Sequence, residues 1–331
     1  MKNITANDVA DLAGVSRWTV ARAFRKNASI SKKNRSKILD AARELGYVPD
    51  LLASSLASNK TNLVALLIDD FENPHKLPIL KHLTEALQHA GMVAILINIG
   101  EFQTPTEALL SASQRRVDAA VLIGTGFSDE LLSTALGAQK LKKLIVFARE
   151  SSHEKTVSIC CDNEKAVCEI VKYIHSKNYC RPVFLAGPRT LSTALKRKST
   201  FIRELKKAGL PEPMIINIPA YNREMAMENV RTYLQAGGSE NFPDLMFCEN
   251  DVLAIGAMDI VKYSMGLRVP QDIAIIGFDD IDFVATPAYD ITTYQQPLKA
   301  MTEKLIEILM DPDMVVENIH LAGELVVRSS A

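Results

Sequence analysis

The chain has 331 residues, 47% hydrophobic and 23% charged, an ordinary globular composition with room for a small module and about 270 residues of further core. No run approaches the ~20 apolar residues of a membrane span, and no charged-then-apolar stretch precedes the first helix signal, so a membrane role is excluded and a cytoplasmic protein is expected. The near-neutral total hides an asymmetry: residues 1–60 hold 11 Lys and Arg against 5 Asp and Glu, net +6, while the rest holds 27 against 34, net −7.

A basic head on an acidic body is the balance expected when one end meets phosphate and the other does not. Residues 5–45 supply the head's structure. Thr5 stands three before Asp8 as a capping box, opening a helix with Val9, Leu12 and Ala13 as its apolar stripe. Gly14 permits a sharp turn, and Ser16 caps a second helix on which Val20, Ala23 and Phe24 pack inward while Arg17, Trp18 and Arg22 project. A third helix follows Ser31, with Ile38, Ala41, Ala42 and Leu45 inside and Gly46 as its stop. Three short helices around one core make a helix-turn-helix able to lay its second helix in a DNA major groove.

Residues 49–62 read as a linker. Leu51–Ser58, with Leu52 and Leu56 one turn apart, is too short for a stable isolated helix, so it is expected to order only when something holds it. From Leu63 the pattern becomes apolar runs alternating with amphipathic stretches. The runs lie at 63–68, 92–97, 119–123, 144–147, 156–160, 181–185, 214–218, 245–248 and 273–277. Helix signals lie between them at Pro78–His89, Thr104–Pro105, 163–177 after Asp162, Ser192–Ala208 and Asn250–Ser264. Nine runs exceed one small sheet. Two doubly wound parallel α/β subdomains are predicted, the first about 63–160 and 292–320, the second about 161–291 and 321–331, with a ligand crevice at the strands' carboxyl ends.

Cys160, Cys161, Cys168, Cys180 and Cys248 show no CxxC spacing and read as reduced, mostly buried hydrophobes without a metal or redox role. An α/β enzyme is the first rival reading, yet GxGxxG, GxxxxGK[ST], GxSxG and HExxH are all missing. His82 and His89 would lie ~10.5 Å apart along a helix and cannot share one metal. A transport-type solute-binding protein is the second rival. It would need an export signal and no basic helical head. No cofactor is expected.

The chain resembles the lactose repressor / galactose repressor family of bacterial transcription regulators over essentially its full length. The resemblance rests on Asp8-Val9-Ala10, Ala13-Gly14-Val15-Ser16, Thr19-Val20, Glu44-Leu45-Gly46-Tyr47, Pro49, Leu56, Gly187-Pro188 with Arg197, Asn250-Asp251 with Ala254 and Gly256-Ala257, Gly277-Phe278-Asp279-Asp280, Thr292-Thr293 and Gln296-Pro297. It implies a repressor that binds a near-palindromic operator as a homodimer and responds to a small effector held between two lobes. The chain's end carries no leucine heptads, so a dimer and not a tetramer is expected.

By that resemblance Arg17, Trp18 and Arg22 take the base-reading positions, within a DNA-contacting set of Thr5, Ser16, Arg17, Trp18, Thr19, Arg22, Arg25, Ser31 and Arg35. Leu56 takes the place of a leucine wedged into the minor groove. Ala21 and Arg25 depart from the family pattern and leave the phosphate contacts open. The effector set implied is Asp70, Phe71, Asn73, Arg149, Arg197, Tyr221, Asn250 and Asp279. Where the family continues Asn-Pro with two aromatics, this chain has Asn73-Pro74-His75-Lys76; stacking is lost and charge gained. With Arg149 and Arg197 this points to an acidic effector such as a sugar acid or sugar phosphate.

Overall fold

The computed structural model describes residues 4–24, 28–49, 60–100, 103–124, 132, 141, 143–151, 153–154, 156–188, 195–238, 242–311 and 317–331. Arg25, Leu56 and residues 50–59 of the expected linker lie outside this set. Two compact units emerge, Met1–Thr61 and Asn62–Ala331.

In the first unit α1 (Ala6–Ala13), α2 (Arg17–Ala23) and α3 (Lys32–Leu45) begin at side-chain caps. The Thr5 box closes in both directions: Asp8 accepts from the Thr5 N–H at 2.7 Å and the Asp8 N–H reaches Thr5 Oγ1 at 3.4 Å. Gly14 and Gly46 end α1 and α3 with φ of 61° and 68°, a left-handed turn that costs glycine nothing. Val9, Ala10, Ala13, Val20, Ala23, Ile38, Ala41 and Ala42 form the core, with Phe24 and Tyr47 edge-on at 5.8 Å beside it. Leu12 corrects the predicted stripe: it is 46% exposed. At about 100° per residue, positions 9, 10 and 13 share one face and 12 turns away from it, so the small Ala10 takes the inward place.

The second unit is built on two six-stranded sheets. One runs β11-β5-β4-β3-β1-β2, from β1 (Leu63–Ile68), β2 (Val93–Asn98), β3 (Ala119–Ile123), β4 (Leu144–Phe147), β5 (Val157–Cys161) and β11 (Ile319–Leu321). The other runs β12-β10-β9-β8-β6-β7, from β6 (Pro182–Ala186), β7 (Met214–Asn217), β8 (Leu245–Cys248), β9 (Ala274–Asp279), β10 (Thr292–Gln295) and β12 (Glu324–Val326). All neighbours are parallel except β10 with β12. Central strands such as β3 are buried along their whole length because helices cover both faces, which is why they read as unbroken apolar runs.

The chain passes between sheets after β5, after β10, and between β11 and β12. One predicted boundary moves. Residues 292–295 were expected to open the return to the first subdomain, yet β10 pairs in parallel with β9, Thr292 opposite Ile276. The return comes at the helix Leu298–Met310, whose Leu298, Met301, Leu305 and Ile308 enter the first lobe's core with Val64, Leu66 and Phe147.

Candidate functional site

Strands of each lobe end at a shared cavity of about 60 Å³, room for a few waters. Its lining includes Asp70, Asn73, His75, Lys76 and Arg149 from the first lobe and Arg197, Tyr221, Asn250 and Asp279 from the second, with Gln296 from the crossing segment. Seven of the eight residues expected there are therefore brought together. Phe71 is not: it is 37% exposed, on the turn between Asp70 and Asn73, outside the lining.

Arg197 is the most constrained. It is the first residue of a helix, after Lys196 at a φ of 57°. Its Nε donates to Asn163 Oδ1 at 2.8 Å and one terminal nitrogen to the Glu249 carbonyl at 2.6 Å, while the other lies 3.9 Å from Asp279 Oδ1. The guanidinium stacks 3.5 Å from the Phe278 ring centre. A planar cation fixed at edge and face presents one direction to the cavity. Asp279 has a φ of 117° and Asp280 one of 55°, strained values for residues with a Cβ, of a kind that clusters at ligand clamps.

Arg149 is buried, with its Nε donating to the Gly124 carbonyl at 2.9 Å and a terminal nitrogen to the Glu150 carbonyl at 2.8 Å. Lys76 pairs with Asp69 at 3.2 Å. Asn250 spends its carboxamide oxygen on capping the helix Asp251–Met258, at 3.0 Å from the Leu253 N–H. Tyr221 donates to Glu249 Oε2 at 3.0 Å, and the same oxygen accepts from the Gly187 N–H at 2.6 Å. Burial pushes the Tyr221 phenol up, and it also raises the Asp70 carboxyl above its ordinary value. Glycine is required at 187, because a Cβ there would stand 2.2 Å from Tyr221 Cε1.

The effector set expected from the sequence names none of His75, Lys76 and Gln296, although His75-Lys76 is read there as charge gained beside Arg149 and Arg197, and Gln296 only as a motif position. Glu249 and Asn163, which hold Tyr221 and Arg197, were missed. Burial lowers the His75 pKa from its ordinary 6.5. Glu150, Cys160 and His320 bring donor atoms within 4.8 Å of one another among the described residues. Glu150 there binds Lys196 at 2.7 Å and His320 at 2.6 Å, and burial lifts the Cys160 thiol to about 12, so the group is an ion-pair cluster over a buried thiol.

In the helical unit, Thr5, Ser16 and Ser31 act as caps. Ser16 Oγ accepts from the Thr19 N–H at 3.2 Å and lies 2.8 Å from Thr19 Oγ1. Arg35 braces the loop before α3 by donating to the Ala28 carbonyl at 3.2 Å. Arg17 and Trp18 are exposed on α2, Trp18 by 67%. Arg22 donates to the Ser29 carbonyl and lies 4.4 Å from the Trp18 ring centre.

Residues 5–50 match the model of the bacterial regulatory proteins of the lacI family, and residues 171–331 that of a periplasmic binding protein-like domain. The chain belongs to the LacI family. It is similar to the HTH-type transcriptional repressor PurR of Photobacterium profundum, with 28% identity over 334 residues covering 98% of each chain. It is also similar to the probable HTH-type transcriptional repressor ExuR of Bacillus subtilis, with 26% identity over 336 residues, 99% of this chain and 98% of the relative. The fold matches that of the Lac repressor dimer bound to operator and the anti-inducer ONPF, with a TM-score of 0.85, 21% identity and 99% of each chain covered. This LacI-family chain is thus a helix-turn-helix DNA-binding transcription regulator with an effector-binding body, and not an enzyme.

Proposed function

We propose that this LacI-family protein is a cytoplasmic homodimeric repressor whose affinity for a near-palindromic operator is set by an acidic carbohydrate held between its lobes. The single observation that carries the reading is the cavity lining: Lys76, Arg149 and Arg197 against Asp70 and Asp279, drawn from both lobes and nearly all buried. An anionic ligand group gains most where cations are already desolvated and fixed. A bridging ligand favours one lobe arrangement, the differential affinity needed to alter DNA binding at a distance. Arg17, Trp18 and Arg22 on α2 are the base readers. A single recognition helix covers too few base pairs for specific affinity, and a symmetric dimer doubles the contact, which supports the homodimer. Among the described residues no helix is long and apolar enough to cross a membrane.

The test is thermal stability of the full-length protein with D-glucuronate, D-gluconate and glucose 6-phosphate beside their neutral parent sugars. A ligand at 100 times its Kd adds about 2.7 kcal/mol. An acid that raises Tm and changes operator affinity is expected. A response to neutral sugars alone overturns the acidic class.

A further inference from the structure

Three neighbouring strands bring metal-type donors together outside the effector cavity. In the order β11-β5-β4, His320 of β11 stands opposite Cys160 of β5 in a parallel pair, and Glu150 lies just past the end of β4. The Glu150 carboxylate, the Cys160 thiol and the His320 imidazole each offer one atom, and the three atoms lie within 4.8 Å of one another. Chain spacing hides the set, because strand register joins positions 160 and 320.

Side chains alternate along a strand, so β5 turns Ile159 and Cys161 into the apolar cores and Cys160 to the other face, beside Glu150 and His320. The thiol is buried. The side chains of Glu150 and His320 are 28% and 39% exposed and open the group to a bare ion. Zinc bonds sulfur at about 2.3 Å and nitrogen or oxygen at about 2.0–2.2 Å, so tetrahedral donors stand about 3.3–3.7 Å apart. Glu150 Oε1 and His320 Nε2, at 2.6 Å, need only part slightly, and the thiol need close by about 1 Å at most.

Burial keeps the free Cys160 thiol protonated, with its pKa at about 12, yet a coordinated thiol gives its proton to solvent because of the ion's charge. Thiolate, imidazole and carboxylate form a zinc- or cobalt-type donor set, with water as the fourth ligand. Calcium and magnesium, which take oxygen ligands, do not suit it.

As folded, the cation beside Glu150 is Lys196. Its Nζ reaches from the second lobe to 2.7 Å from Glu150 Oε2 and 4.0 Å from Glu164 Oε1. A divalent ion on the same carboxylate repels the ammonium, so the two compete. We propose that Glu150, Cys160 and His320 bind a zinc-class transition-metal ion, which displaces Lys196 and opens the ion pair between the lobes. The three residues lie outside the cavity lining, and the site stands whatever the effector's class.

The test uses Co²⁺ as the probe, because a cobalt–thiolate bond gives an intense near-ultraviolet charge-transfer band that cobalt on histidine or carboxylate lacks. Reduced, untagged full-length protein carrying Cys180→Ser, which removes the exposed thiol, is titrated with Co²⁺. One equivalent should raise the band, and one equivalent of Zn²⁺ should abolish it. Cys160→Ser should lose the band. His320→Gln, at a partly exposed position, should weaken Co²⁺ binding by about tenfold or more. Lys196→Met should strengthen it by about 1.5- to fivefold, the worth of an exposed ion pair. No band at about tenfold excess of Co²⁺, or a band that survives Cys160→Ser, overturns the site. If Cys160→Ser does not fold, an unchanged band and affinity in His320→Gln overturn it instead. Affinity that does not rise in Lys196→Met overturns the competition with the pair between the lobes.

Discussion

Tyr221 reaches the cavity only because residue 187 has no side chain, and this makes Gly187 a sensitive probe of the site. Gly187→Ala places a carbon 2.2 Å from the ring, so Tyr221 must swing away and give up its bond to Glu249. A stability loss of about 1–3 kcal/mol is expected from the overpacking, together with loss of the effector response. Measuring Tm and effector titration on the variant checks both, and a full response would remove Tyr221 from the site. His75 makes a second test through pH. Its folded pKa lies below 6.5 because burial opposes the charge, so the unfolded chain takes up the proton first as pH falls. Stability from this group is present above pH 6.5 and is lost as pH drops through the folded value. The Tm of H75N should accordingly fall less than that of wild type between pH 7 and 5. Burial also raises Cys160 and Cys161 to about 12 and Cys248 well above its usual range, whereas Cys180 is exposed. A thiol reagent at pH 8 should modify Cys180 first and leave those three untouched until unfolding. At this scale the sequence carried Arg197 and Asp279 because each sits in a motif whose spacing is itself recognisable. His75 and Gln296 were illegible as a pair: their chemistry arises from a meeting of positions 221 residues apart. Phe71 was carried along by its neighbours Asp70 and Asn73, although the turn aims it elsewhere.

Among the elements, legibility follows apolar content more than burial: β2 and β7 read as runs although partly exposed, while β10 is buried but polar. β1, β3, β4 and β9 are covered on both faces and announce themselves as apolar runs, whereas β10 (TTYQ), β11 (IHL) and β12 (ELV) mix polar and apolar residues over three or four positions. β11 and β12 take their strand character from the sheet edges they join, and β10 from its place between β9 and β12. The helices Arg223–Gly237 and Leu298–Met310 also went unread, the second because it follows Pro297 without a side-chain cap. In the helical unit every boundary but the end of α2 is legible, since each helix opens on a hydroxyl and two close on glycine. Thr5→Ala removes one side of the capping box and should cost about 1 kcal/mol of α1 stability, seen as a lower melting temperature of the DNA-binding unit. Arg22→Ala should cost about 1–3 kcal/mol at the cognate operator and relax preference at one base pair per half-site. Site selection returning the same motif at the same affinity would show that Arg22 reads no base. Its present bond to the Ser29 carbonyl and its stacking on Trp18 would then be its whole role.

At the scale of the whole molecule, the lobes meet through groups that neighbour the site residues in sequence. Lys196, beside Arg197, reaches Glu150, beside Arg149, at 2.7 Å, so an ion pair from opposite lobes spans the segments that carry the two arginines. Both partners are partly exposed, and such a pair is worth about 0.2–1 kcal/mol. Lys196→Ala should therefore weaken effector binding by at most about fivefold, an effect that shrinks as salt screens the exposed charges. Linkage extends the prediction to DNA. Whatever factor the effector imposes on operator affinity, saturating operator must impose on effector affinity, because the four binding steps close one thermodynamic cycle. In Lys196→Ala the two factors should change together and remain equal. Titrating effector into free and operator-bound protein, wild type and variant, at low and high salt measures all four affinities. An effector affinity that ignores Lys196 at low salt would show that the ion pair does not report lobe closure. Unequal factors would show only that the four titrations had not reached equilibrium, because the cycle must close.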